Sequence, residues 1–182
     1  TLNGHTSFVN SVAISQDGNI VVSGSSDNTI KVWNLVDGSL LRTLTGHEDH
    51  VASLAISPDG NTIVSGSNDN TIMVWDLSDG ALLRTLTGHT NVVRSVAISP
   101  DGNTIVSGNG DEDRTIKVWN LSDGALLRTI TGHAGNAQDA VYSVAISPDG
   151  NTILSGGRDN RIKVWNLWDG ALLRTLTGHT HD

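Results

Sequence analysis

The chain has no cysteine, one Phe, one Tyr, one Met and three Pro among 182 residues, and only 16% of its residues are charged, against roughly 25% in an average soluble domain. Without Cys there is no disulfide framework, thiolate metal site or cysteine nucleophile, which removes the small stapled secreted classes. No apolar run approaches the roughly 20 residues of a membrane-spanning helix, and the opening TLNGHTSFVN is neither basic nor apolar enough for a signal peptide. The expectation is a soluble, cytoplasmic chain. A net charge of -8 argues against a general nucleic-acid or anionic-membrane binder, because both depend on clustered Lys and Arg. With charges scarce, Ser, Thr, Asn and Gly must cover the surface.

What is abundant is repetition. Gly-His recurs at Gly4-His5, Gly46-His47, Gly88-His89, Gly132-His133 and Gly178-His179, at intervals of 42, 42, 44 and 46 residues. A Trp follows each of the first four pairs, at Trp33, Trp75, Trp119 and Trp165, and Trp168 lies outside this register. Nearly the whole chain is therefore one repeat array, with units at about 4–45, 46–87, 88–131 and 132–177 and a tail at 178–182. Each unit reads as four short strands. In the first unit these are VNSVAIS (9–15), where Val12 and Ile14 alternate with small polar residues, then IVVSGS (20–25), TIKVWNL (29–35) and SLLRTLT (39–45). Asp-Gly pairs between apolar runs mark tight turns in which Gly supplies a positive φ. A lone four-stranded sheet of this size has no core of its own and must stack on its neighbours.

The recurring GH, SPDG, SGSxDxTIxVW and [ND]L resemble the units of a WD-repeat β-propeller, and the resemblance covers roughly residues 4 to 177. It implies an all-β fold of four-stranded antiparallel blades. It also implies that the loop His, a second-strand Ser, the Asp of the following turn and the third-strand Trp form a structural hydrogen-bonded tetrad in each blade. Carried over by position, the sets are His5, Ser23, Asp27 and Trp33; His47, Ser65, Asp69 and Trp75; His89, Ser107, Asp113 and Trp119; and His133, Ser155, Asp159 and Trp165. In the third set Asp111 rivals Asp113, and the six-residue spacing before Trp, shared with the other units, favours Asp113. Recurrence in every unit weighs against reading His, Ser and Asp as a hydrolase site. No catalytic residue, metal site or cofactor is assigned; the pair His179 and His181 lacks a third ligand.

Variation concentrates at one end of the blades. The residue before the repeated Ser of the first strand is Asn10, Ala52, Arg94 or Tyr142, which the resemblance places near the mouth of a central channel. NGDEDR (109–114) adds two residues to a turn of the third unit and AGNAQDA (134–140) adds four to the loop entering the fourth. These changes nominate Asn10, Arg94, Asp111, Glu112, Asp139, Tyr142 and Arg158 as a partner-binding patch, against the plainer reading of solvated loops. At the other end the turn carboxylates are regular and need no ligand, and Trp168 is expected to pack on its own loop. Arg42, Arg84, Arg128 and Arg174 fall on outer strands, where charge protects a sheet edge.

Four blades are fewer than such rings usually hold, and an open array leaves an apolar face in water at each end. The expectation is a two-fold homodimer closing an eight-bladed ring, with His5 rather than His179 of the other chain filling the junction tetrad. The functional reading is a non-enzymatic protein-interaction scaffold that receives a protein or peptide at the variable end, with no nucleic acid or membrane partner. A carbohydrate or small-ligand binder using clefts between blades, and a fragment, design or recently amplified array without its own ligand, stay open as alternatives.

Overall fold

The computed structural model describes residues 1–110, 113–133 and 140–179. Its sixteen strands form four antiparallel sheets of four, each built from consecutive strands in chain order. The first blade holds β1 (Val9–Ile14), β2 (Ile20–Ser25), β3 (Ile30–Asn34) and β4 (Leu40–Leu44); the second β5 (Val51–Ile56), β6 (Thr62–Ser67), β7 (Ile72–Asp76) and β8 (Leu82–Leu86). The third holds β9 (Val93–Ile98), β10 (Thr104–Asn109), β11 (Thr115–Asn120) and β12 (Leu126–Thr131), and the fourth β13 (Val141–Ile146), β14 (Thr152–Gly157), β15 (Arg161–Asn166) and β16 (Leu172–Thr177).

Short polar residues fix the turns. Between β1 and β2, Gly18 at φ 72° lets its N–H reach Ser15 O at 2.9 Å, while the Asp17 carboxylate accepts the Ser15 hydroxyl at 2.5 Å and the Asn19 amide at 3.0 Å. The β2–β3 turn puts Asn28 at φ 67°, a left-handed conformation that Asn tolerates better than most residues. Arg114 takes the equivalent place in the third blade at φ 52°. A bulge interrupts every first strand: Val9 pairs with Ser25 but Ser11 with Gly24, so Asn10 is the extra residue, as are Ala52, Arg94 and Tyr142 in the other blades.

The cores lie between blades, not within them. Val22, Ile30, Val32 and Leu44 of the first blade pack on Val51, Leu54, Ile63 and Trp75 of the second. The second and third blades, and the third and fourth, meet through equivalent clusters. Successive first strands lie side by side along one edge of the array, β1 on β5, β5 on β9 and β9 on β13. Leu44 sits against Gly80 of the next blade, Leu86 against Gly124 and Ile130 against Gly170. The first blade has no predecessor in the chain, and there Leu2 lies against Gly38 instead.

The fourth-strand arginines differ from the edge-guard expectation. Arg42, Arg84 and Arg128 are half-buried against Gly80, Gly124 and Gly170, and Arg128 Nη1 donates to Leu167 O of the next blade at 3.1 Å. They lie at blade junctions because the glycine of the next blade's Asp-Gly turn has no side chain to exclude the arginine stem. Arg174, with no following blade in the chain, is exposed.

Candidate functional site: the repeated tetrads and the channel mouth

In each blade the loop entering the first strand lays a histidine over the second and third strands. His5 Nδ1 lies 2.8 Å from Asp27 Oδ2 and its Nε2 lies 2.8 Å from Ser23 Oγ, which also accepts Trp33 Nε1–H at 2.8 Å. The second set repeats this for His47 with Asp69 (2.8 Å) and Ser65 (2.7 Å), and Trp75 donates to Ser65 at 2.9 Å. His89 reaches Asp113 at 3.0 Å and Ser107 at 2.7 Å, with Trp119 on Ser107 at 2.9 Å. His133 reaches Asp159 at 3.0 Å and Ser155 at 2.7 Å, with Trp165 on Ser155 at 2.8 Å. Asp111, the rival carboxylate of the third set, lies outside the described residues.

One proton arrangement satisfies every atom of such a chain. The indole N–H donates to the serine oxygen, the serine O–H to Nε2 of a neutral imidazole, and Nδ1–H to the carboxylate. The electrostatics agree: burial pushes His47 and His89 below the ordinary imidazole range, although Asp69 and Asp113 pull the other way. Burial alone would raise Asp69 and Asp113, but hydrogen bonds from Thr71 and His47, and from Thr115, Thr90 and His89, hold both below the usual carboxylate range.

This is the connectivity of a hydrolase triad without its access. All four serines are buried, with Ser65 and Ser107 fully covered, and the lone pair a nucleophile would use already accepts an indole N–H. Buried lysines were not anticipated. Lys31 and Lys117 extend beneath the outer strand to donate to Thr43 Oγ1 at 2.9 Å and Thr129 Oγ1 at 3.1 Å. Lys163 is buried in the fourth blade, its ammonium hydrogen-bonded to Gly132 O. Their signal is the residue before Val-Trp, which is Lys in three units and Met73 in the second.

At the variable end the bulges aim the four dissimilar residues toward one place. A cavity of about 330 Å³ is lined by Asn10, Ala52, Arg94 and Tyr142, together with Ser26, His50 and Asn68. The Arg94 guanidinium carbon stands 5.4 Å from the Tyr142 ring centroid, within cation–π range. Asn10 Nδ2 donates to Ser26 Oγ and Val51 O, both at 3.0 Å, which ties the first two blades together at the rim. Arg158 is exposed on the β14–β15 turn, its amide donating to Ala140 O at 3.0 Å, and it does not line the cavity. Glu112 and Asp139 lie outside the described residues, as does His181. Trp168 donates Nε1–H to Asn151 Oδ1 at 3.1 Å across its own blade's turns while most of its ring faces water.

Four sheets of consecutive antiparallel strands, each closed by the same His-Ser-Asp-Trp geometry, define a β-propeller array. The family description "WD domain, G-beta repeat" (WD40) matches residues 1–34, 38–76, 80–120 and 124–166, most of the sequence, and the chain belongs to this family. Among individual proteins, it is similar to "Small ribosomal subunit protein RACK1" of Medicago sativa, 46% identical over 44 residues, which is 24% of this chain and 14% of that protein. It is also similar to "Ribosome biogenesis protein BOP1 homolog" of Drosophila grimshawi, 44% identical over 41 residues, 22% of this chain and 5% of that protein. Each match is about one repeat long, far less than two thirds of either relative's length.

Proposed function

We propose that this protein is a non-enzymatic interaction scaffold whose variable rim receives a protein or peptide, and that the 182-residue chain completes its ring with a second copy. The observation that carries the scaffold reading is the cavity at the rim. It gathers the one strand position at which the blades differ most, and it pairs an exposed Arg94 with an exposed Tyr142, residue types favoured at protein interfaces. The tetrads are bracing: each ties a loop to two strands and leaves no nucleophile to a substrate. Ring closure rests on the two end faces, where residues that are buried at every internal junction stand in water. The proposed ring has eight blades, each junction joining the fourth blade of one copy to the first blade of the other. The protein is proposed to act in the cytoplasm, a compartment that suits a fold built without cysteine.

A capture experiment tests the rim. Immobilised chain and an Arg94→Ala/Tyr142→Ala variant are exposed to the same lysate, and any partner identified is then titrated against both. Loss of at least tenfold in affinity is expected, since removing hot-spot residues of these types typically costs about 2 kcal/mol or more. Equal affinities would place the binding site elsewhere. Several equivalent sites per ring would favour the cleft-binding alternative.

A further inference from the structure

Resting on the two-copy ring just described, we propose that the open face of the fourth blade is a preformed receptor for β1 of a second copy. Gly156 is the socket, Val9 and Val12 of the second copy are the knobs, and Ser143 Oγ accepts the amide of that Val12.

The same lock is drawn three times inside the chain. A Cβ placed on Gly24 would stand 2.6 Å from Val51 Cγ1 and 3.2 Å from Leu54 Cδ1 of the next blade. On Gly66 it would stand 2.7 Å from Val93 Cγ1 and 3.0 Å from Val96 Cγ1, and on Gly108 2.8 Å from Val141 Cγ1 and 3.0 Å from Val144 Cγ1. Each glycine is needed because the next first strand pushes two aliphatic side chains into its place. Beside each socket a serine takes an amide from the same strand: Leu54 N–H donates to Ser11 Oγ at 3.0 Å, Val96 to Ser53 at 3.1 Å and Val144 to Ser95 at 3.0 Å.

The fourth blade keeps both parts open: Gly156 and Ser143 line one surface pocket, with His179 of the tail at its edge. A Cβ on Gly156 meets no atom within 4 Å, and Gly156 is not among the residues with positive φ, so nothing among the described residues calls for glycine there. Ser143 completes the serine series, with no following strand among the described residues. At the other end the knobs are bare: Val9 is 52% and Val12 67% exposed, whereas Val51, Val93 and Val141 are 0% and Leu54, Val96 and Val144 are 7%, 6% and 7%. A second copy of this chain presents the matching half, Val9 and Val12 bare and three residues apart as the internal knobs are. A lipid surface or an unrelated protein would need neither a bare glycine at 156 nor a serine at 143.

The absence of Cys makes a direct test clean. At the internal junctions the Cβ built on the glycine lies 3.2, 3.3 and 3.4 Å from the Cβ of Val51, Val93 and Val141, a few tenths of an ångström inside the roughly 3.5–4.5 Å of disulfides, which a small outward shift of the strand supplies. The Val9→Cys/Gly156→Cys chain, oxidised at micromolar concentration, is expected to become a covalent dimer with two disulfides, while neither single variant cross-links. Light scattering of the reduced protein gives the non-covalent mass in parallel. A dimeric mass without cross-linking overturns this lock and leaves the two-copy reading standing. A folded monomer at every concentration overturns both. A ladder of longer covalent species supports the lock and overturns the closed two-copy ring.

Discussion

One atom separates the tetrads from a catalytic triad. Ser65 Oγ meets His47 Nε2 as a nucleophile would, but it also accepts Trp75 Nε1–H in a site closed to water. The serine oxygen is thereby a junction between two strands and a loop. The arrangement also needs His47 and His89 neutral, because each Nε2 is an acceptor. Their pKa values are lowered in the folded protein from an ordinary 6.5, so the unfolded chain takes up protons first as pH falls. Their contribution to stability is complete above about pH 6.5 and is lost as pH falls through the lower folded values. Asp69 and Asp113, lowered from 3.8, add a second loss below that pH. Urea midpoints are expected to be flat from pH 7 to 8 and to decline on acidification below about 6.5, with NMR titration placing the His47 and His89 midpoints below that of an ordinary imidazole.

Within a blade, the elements most legible in the sequence were those set by local chemistry. The expected strands 9–15, 20–25, 29–35 and 39–45 end within a residue of β1 to β4, since Asp-Gly and Asp-Asn turns stop each run at a fixed place. The Asn of the β2–β3 turn is one such device. Asn70 sits at φ 69°, and replacing it with Ala should cost about 1 kcal/mol, with Gly at no cost or a small gain, read from urea midpoints. The bulge was less legible. Strict alternation places Val9 and Val12 on opposite faces of β1, whereas the extra residue Asn10 returns them to the same face. The signal was the apolar pair three residues apart in every first strand, Val-x-Ser-Val or Val-x-Ser-Leu, a spacing that fits neither a plain strand nor a helix of that length. The tetrad residues were found through family resemblance, because partners 10 to 26 residues apart carry no local signature. The buried lysines were hidden by their charge, which strand patterning assigns to solvent.

At the scale of the whole molecule, stability belongs to junctions. Three lie within the chain, and the faces that would make the fourth leave Val9, Val12, Leu154 and Leu176 in water. The proposed closure by a second copy would supply two more junctions per pair of chains and place two Arg94–Tyr142 rims on one ring. Light scattering across a dilution series is expected to give twice the chain mass, and the thermal midpoint should rise with protein concentration, as for any fold completed by association. A compact folded species of one chain mass would refute closure. Leu2 adds a kinetic condition to this equilibrium. It rests against Gly38, the place that Leu44, Leu86 and Ile130 take at the internal junctions and that Leu176 of an incoming copy would need. In the proposed ring the arriving strand would have to displace residues 1–3, so encounter alone would not set the pace of assembly. Association is then expected to run below the usual range for rigid docking, its rate levelling off at high concentration at the rate at which the chain releases its own first residues, as stopped-flow mixing would read.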